Sequence, residues 1–374
     1  MPKIFIAGDF GYRGRTSEII KQGDGLSLFV QLKDRIDSAD YAILNFETPV
    51  GDPTHFVPKC GPSLFSDKNS LKVIKEAGFS MVTLANNHFF DCGQYGVEKT
   101  LEACSEFGLE VVGGGADLDS SIRPYTVEIN GCKVTIINVC ETEFSIANEK
   151  HGGAAPLDIV KVSSEILKHK ASSYVLVIVH GGHEFYEYPS TRMQRLYRFF
   201  VDLGANAVVN HHQHCYSGFE IYNSRPIFYG LGNFIFDSST GKRNEPWNYG
   251  FAVVINTEAP SDYTLHPYVQ SNESAGLRLM DDVERGSFDK KIAEINDAIA
   301  DPLKLKDLED AYYERTGTLS VFSPLFNGIT AKLYNKKWFP SFVSKKQRMY
   351  QLHYIQCESH RDVLLRNLRN ELNI

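Results

Sequence analysis

Along the first 256 positions, short apolar runs alternate with segments whose apolar residues recur every three or four places. The runs predict buried strands and the periodic segments predict helices. "KIFIAGDF" is a strand ending at Gly8-Asp9, and "DYAILNFETPV" is a second strand with polar residues at its carboxyl end. A helix-like stretch lies between them at about 26–36. "SLKVIKEAGF" places Leu71, Ile74 and Ala77 on one helical face, with Gly78 as its stop signal. "SMVTLANNH" is a third strand, "YGVEKTLEACSEFG" a helix and "EVVGGG" a short strand. "YTVEINGCKVTIINVC" predicts a hairpin turning at Asn130-Gly131. A helix near 158–169, a strand "SYVLVIVH" ending at His180, and a helix "STRMQRLYRFFVDLG" follow. "ANAVVN" then leads into His211, His212 and His214, with "PIFYGLGNFIFD" and "YGFAVVIN" as later strands.

This alternation predicts an α/β core. In such sheets, sites gather at the carboxyl ends of strands. The polar residues collect there: Asp9, Asn45, Glu47, Asn86, Asn87, His88, His180, His212 and His214. After about residue 282 the pattern changes to charged helices, so residues 1–282 are expected to form the core domain and 283–374 a helical C-terminal extension. From 331 onward nine Lys/Arg stand against three Asp/Glu, which reads as a solvated face or an interaction surface. Leu364, Leu365, Leu368 and Leu372 recur at helical spacing and need a surface to cover them. The expectation is packing on the core beside the site, anchored by Trp338, Phe339 and Phe342. A homo-oligomer formed through these helices is the alternative.

Composition narrows the function classes. With 374 residues, 43% of them apolar, the chain can bury a large core in one extended domain or two. A net charge of −7 argues against nonspecific nucleic-acid binding. The seven cysteines are an odd number without a C-x-x-C pair, so neither a disulfide framework nor a zinc knuckle is expected. The N-terminus lacks signal-peptide regions, and no apolar run reaches the length of a membrane span. A soluble, cytoplasmic protein is expected.

On an extended backbone, residues two apart share a face, so His212 and His214 can converge while His211 points away. Alone, each polar strand end has a plainer reading: Asp9 as a cap, Asn86-Asn87 as a turn, His180 as a core histidine. Together, Asp9, Glu47, Asn87, His180, His212 and His214 offer two carboxylates, one amide oxygen and three imidazoles. Divalent transition metals choose such donors. Two metals side by side also need a bridging carboxylate.

The strings "GDF" at 8–10, "NFETP" at 45–49, "LANNHFFDCGQYG" at 84–96, "HGGHEF" at 180–185 and "HHQHCYSGFEIYNSRPIFYGLGNFIFD" at 211–237 occur in one order. With Pro189 and Gln194 between them, they make residues 1–256 resemble the CapA family. These are bacterial capsule and poly-γ-glutamate synthesis proteins of the calcineurin-like metallophosphatase superfamily. The resemblance implies a metallophosphatase-like αββα sandwich and one or two divalent ions, Mn, Fe or Zn. It implies Asp9 and His214 on one metal, Asn87, His180 and His212 on the other, and Glu47 between them. His88 matches a position that contacts the reacting phosphate, and Glu184 and Asp91 match acidic positions of the catalytic region. Asn210 and Gln213 depart from the family's usual Gly and Pro, Gly181 replaces a common aromatic, and Gly11 stands where many relatives carry a histidine.

The implied activity is a metal-dependent hydrolase of phosphoesterase type, acting on an anionic small molecule or polymer in capsule or other surface-polymer biosynthesis. A γ-glutamyl amide hydrolase and a non-catalytic component of a polymer-assembly complex are the alternatives. A nucleic-acid partner is not expected.

Overall fold

β1 (Lys3–Gly11) is buried at every residue after its first, and β2 (Tyr41–Phe46) throughout. That is why both are written as unbroken apolar runs rather than as an alternating pattern. The computed structural model describes residues 2–59, 61–237, 246–259 and 261–316, with Ile329, Lys332, Leu333, Lys336 and Trp338 beyond them. The next strands are β3 (Met81–Thr83), β4 (Glu110–Val112), β5 (Gly114–Gly115), β6 (Tyr125–Ile129), β7 (Cys132–Cys140) and β8 (Gly153–Ala154). They are followed by β9 (Tyr174–His180), β10 (Ala207–His211), β11 (Phe219–Tyr222), β12 (Arg225–Phe228) and β13 (Asn233–Phe236). β14 (Tyr249–Asn256), β15 (Tyr263–Gln270) and β16 (Leu277–Leu279) complete the strands among the described residues.

One sheet has the order β16-β15-β14-β1-β2-β3-β4, with β13 also pairing β1. The other has the order β11-β12-β10-β9-β7-β6, and β5-β8 is a small pair apart. β1 to β4 run parallel, as do β7, β9, β10 and β12. The predicted hairpin is β6–β7, and its turn uses the positive φ of Asn130 (48°) and Gly131 (81°). Aromatic rings join the two sheets: Phe228 meets Phe251 at 6.4 Å, and Phe219 meets Tyr263 at 5.3 Å.

The helices are α1 (Gly14–Lys21), α2 (Lys33–Asp37), α3 (Asn69–Glu76), α4 (Gly93–Phe107), α5 (Leu118–Ser121), α6 (Ile159–His169) and α7 (Thr191–Leu203). α6 packs on β7 and β9, and α7 on β10 and β12. α1 and α3 pack together, and α4 lies on β4. The result is an αββα sandwich, two sheets with helices packed on them, as expected from the sequence. The stretch at 26–36 is not one helix. It forms two 3₁₀ turns, Gly25–Leu28 and Val30–Leu32, before α2. The helical spacing read from the sequence is kept in the burial, with Leu28, Phe29, Leu32 and Ile36 buried and Leu26 and Val30 exposed.

α8 (Asp282–Ala300) begins with a capping box at Asp281 and buries Phe288, Ile292, Ile295 and Ile299. Asn296 accepts the Phe219 N–H at 2.7 Å, and Gln194 donates to the Ile299 carbonyl at 2.7 Å. α9 (Pro302–Thr316) follows. Met1–Lys306 form one compact unit and Asp307–Ile374 a second. The proposed helical extension from 283 thus starts with a helix that shares the core of the first unit. Phe339, Phe342, Leu364, Leu365, Leu368 and Leu372 lie outside the described residues, and Trp338 is exposed.

Candidate metal centre

The carboxyl ends of β1, β2, β3, β9 and β10 deliver the polar residues to one place between the sheets. Gly8 allows the closest approach there: the Gly232 carbonyl oxygen lies 1.8 Å from where a Cβ would sit. The next residue, Asp9, donates its N–H to that same oxygen at 3.3 Å. Asp9 accepts from Asn45 Nδ2 at 2.7 Å and from the His212 backbone N–H at 3.3 Å.

Glu47, His180 and His212 form one group whose ligand-competent atoms all lie within 4.8 Å of one another. Asp9, Glu47 and His214 form a second group by the same measure. Glu47 belongs to both. Its Oε1 lies 3.7 Å from His180 Nε2 and 3.5 Å from His214 Nε2. His180 Nε2 is also 3.1 Å from His212 Nδ1 and 3.0 Å from Asn87 Oδ1. His211 lies in neither group. Its ring is buried beside the Ala7 backbone with neither nitrogen in hydrogen-bond geometry.

A divalent pair fits this donor set on a direct observation: both carboxylate oxygens of Glu47 are fully buried without a hydrogen-bond partner. A buried carboxylate without a hydrogen-bond partner needs a compensating cation or a proton. Burial, then the negative charges of Asp9, Glu184 and Asp91, push the Glu47 pKa well above its ordinary value. Burial raises Asp9 to about 7, against the opposing Asn45 and His212 hydrogen bonds. The same burial lowers His212 to about 4 and holds His180 well below its ordinary value. The histidines therefore stay neutral, the form that ligates, and the carboxyls keep protons that a cation would displace.

Backbone geometry points the same way. His212 and His214 adopt φ of 93° and 55°, and Phe185 beside them adopts 60°. Positive φ is unfavourable for these side chains, and such strain persists where the surrounding structure enforces it. Asn210 enforces it here. Its Nδ2 donates to the Gly181 carbonyl at 2.9 Å and the His211 carbonyl at 2.8 Å, and its Oδ1 accepts from Tyr197 at 2.7 Å. The departure from Gly at this position thus supplies a brace for the histidine turn.

His88 lies next to this cluster, with Nδ1 2.6 Å from Asp91 Oδ2. Asp91 also accepts the Leu64 N–H at 2.7 Å and pairs with the buried ammonium of Lys59. Its structural task is to fix the His88 ring. Glu184 acts on Glu47 and Glu143 through its charge. Lys59 and Glu143 were not singled out from the sequence. Glu143 lies three residues beyond β7, so the strand-end rule that found the candidate donors would have reached it. Lys59 sits in a loop with no periodic signal.

A model of the family described as "Bacterial capsule synthesis protein PGA_cap" matches residues 3–238. The chain belongs to this family. The PGA biosynthesis protein CapA of Bacillus subtilis (strain 168) is 32% identical over 239 residues, 62% of this chain and 62% of that protein. The capsule biosynthesis protein CapA of Bacillus anthracis is 30% identical over 243 residues, 62% of this chain and 59% of that protein. The match thus spans about three-fifths of each relative's length. Among solved structures, a hypothetical protein from Thermus thermophilus aligns with a TM-score of 0.46 and 18% identity, covering 72% of this chain and 99% of its own. Among the described residues, no helix of this PGA_cap family member is long and apolar enough to cross a membrane.

Proposed function

We propose that this PGA_cap protein is a dinuclear metal-dependent hydrolase of phosphoesterase type, acting on an anionic substrate in capsule or other surface-polymer biosynthesis. The observation that carries the reading is Glu47, buried, unpartnered and common to both donor groups. Asp9 and His214 would hold one ion, Asn87, His180 and His212 the other, and Glu47 both. Bound there, a divalent pair supplies Lewis-acid stabilisation of developing negative charge and lowers the pKa of a water towards neutrality.

The chain's own residues do the remaining work. Asp91 takes the Nδ1 side of His88, so Nε2 holds or releases a proton at the reacting group. Lys59 pairs with Asp91 and holds it in place for that task. Glu184 lies where its charge reaches the site and would position the incoming nucleophile. The name of the Bacillus subtilis relative, a PGA biosynthesis protein, supports a second reading, hydrolysis of a γ-glutamyl amide by the same groups.

Manganese-loaded protein assayed on p-nitrophenyl phosphate, bis-p-nitrophenyl phosphate and γ-glutamyl p-nitroanilide tests both readings. Phosphoester turnover that a chelator and Glu47→Gln abolish is the expected result. Turnover of the anilide alone would favour the amide reading. Bound metal with no turnover on any of them would overturn the hydrolase reading in favour of a non-catalytic assembly component.

A further inference from the structure

Phe185 carries two costs at once. Its backbone is left-handed, with φ of 60°, and its residue is 47% exposed. Left-handed backbone is unfavourable for a bulky side chain, and an exposed phenyl ring forgoes the gain of burial. Such a residue persists only where its surroundings hold it, and an outlier of this kind beside a site points to a use. The holding group is Gln213, which is buried between His212 and His214 in the sequence. The Phe185 N–H donates to the Gln213 carbonyl at 2.8 Å. The Gln213 side chain donates through Nε2 to the Tyr186 carbonyl at 3.0 Å and accepts from Asn210 Nδ2 at 3.3 Å. Ser217 Oγ donates to the Glu187 carbonyl at 2.7 Å. The turn that presents the imidazoles therefore also fixes the backbone that presents Phe185.

The Phe185 ring stands 6.2 Å from the His214 ring and 5.7 Å from Trp247. Phe236 and Trp247 each stand 5.1 Å from His214. Those two are buried and form, with Leu64, a small apolar cluster apart from the main core. Of the three carbocyclic rings so placed around His214, Phe185 is the one open to solvent. We propose that Phe185 is a specificity-determining residue. Its ring is an apolar wall on the His214 side of the donor cluster, and it takes a substrate whose reacting group carries a flat apolar face, an aryl group being the simplest case. Offset packing of two rings supplies the preference. Gln213 is the positioning residue that holds the wall in place. This rests on the hydrolase reading above and deepens it by naming what the substrate presents next to the reacting group.

The test compares phenylphosphonate with methylphosphonate, which share an anionic head on a carbon–phosphorus bond that is not an ester. Binding of each to the full-length chain loaded with Mn²⁺ is measured by isothermal titration calorimetry. The wild type should prefer the phenyl compound by about 3–10-fold. Phe185→Ala should bring the ratio of the two affinities close to one, and Phe185→Tyr should keep it. Gln213→Met fills a similar volume without the amide. It should lower the ratio and raise acrylamide quenching of Trp247, read with Trp338→Phe as background because the chain has two tryptophans. A Gln213 with a general structural role alone would weaken both phosphonates alike and leave the ratio in place, and that result overturns its assignment. A wild-type ratio of one, or a preference that survives Phe185→Ala, overturns the inference and leaves the hydrolase reading standing. A chain that binds neither phosphonate overturns both. A preference lost with Phe185→Ala in a chain that hydrolyses nothing upholds the inference and overturns only the hydrolase reading.

Discussion

Glu47 illustrates how much one residue can reveal and where the signal stops. A carboxylate closing an apolar strand is legible in the sequence as a group that needs a partner, and the structure gives it three imidazole neighbours and no hydrogen bond. Glu47→Gln should therefore strip both ions, because without the shared charge two cations face each other across a neutral amide. Elemental analysis of the purified variant reads this directly, and full occupancy would contradict it. His88 predicts a different split. Since it touches Asp91 and Lys59 rather than the donor groups, His88→Ala should keep its metal and lose about 10²–10⁴-fold in kcat, the range for a proton-transfer group. Metal loss in that variant would place His88 among the ligands instead. Asp9, Asn87, His180, His212 and His214 were readable for the same reason as Glu47: each ends an apolar run. Asn233 was not. It lies at the start of β13 and reads as a strand residue until its Oδ1 is seen against His214.

At the scale of elements, two devices position the site and each can be broken separately. The first is the contact of β1 with the turn before β13 at Gly8. A methyl group there would occupy the place of the Gly232 carbonyl oxygen, so Gly8→Ala must push the strands apart one residue before Asp9. Reduced metal affinity together with a lowered melting temperature is expected, and unchanged values of both would refute the account of this contact. The second is α8. Ile295 is fully buried in its apolar face, so Ile295→Ala should cost about 2–5 kcal/mol, measured by urea unfolding. The cap region of α8 carries a pH signature. Hydrogen bonding to Arg278 lowers the Glu284 pKa from 4.5 to about 2. The sign follows from the ionised form being favoured in the folded chain: the contribution is complete above about 4.5 and is lost as pH falls towards 2. Glu284→Gln should flatten the loss of stability between about pH 4.5 and 2, and an unchanged acid limb would show that the pair contributes nothing. The helices α3, α4, α6 and α7 and the β6–β7 hairpin were legible from periodicity and turn chemistry. α1, β15 and β16 were not, because short half-exposed segments such as Tyr263–Gln270 carry neither a clean alternation nor an apolar run.

For the whole molecule, the change of sequence texture near residue 282 does not coincide with the edge of the first compact unit, which runs to Lys306. A charged helix was legible there. That it contributes Phe288, Ile292, Ile295 and Ile299 to the core was not, because its buried positions are diluted by Lys and Glu on the same text. What the fold accomplishes at this scale is convergence: the parallel strands of two mixed sheets bring their carboxyl ends together, and five side chains, Asp9, Asn87, His180, His212 and His214, meet around Glu47. The claim that two divalent ions are held there, with Glu47 between them, has one direct measurement. Anomalous diffraction from a crystal of the full chain grown or soaked with Mn²⁺ should give two peaks, one among Glu47, Asn87, His180 and His212 and one among Asp9, Glu47 and His214, both in contact with the Glu47 carboxylate. Peaks elsewhere, or a Glu47 carboxylate that touches neither ion, would contradict it.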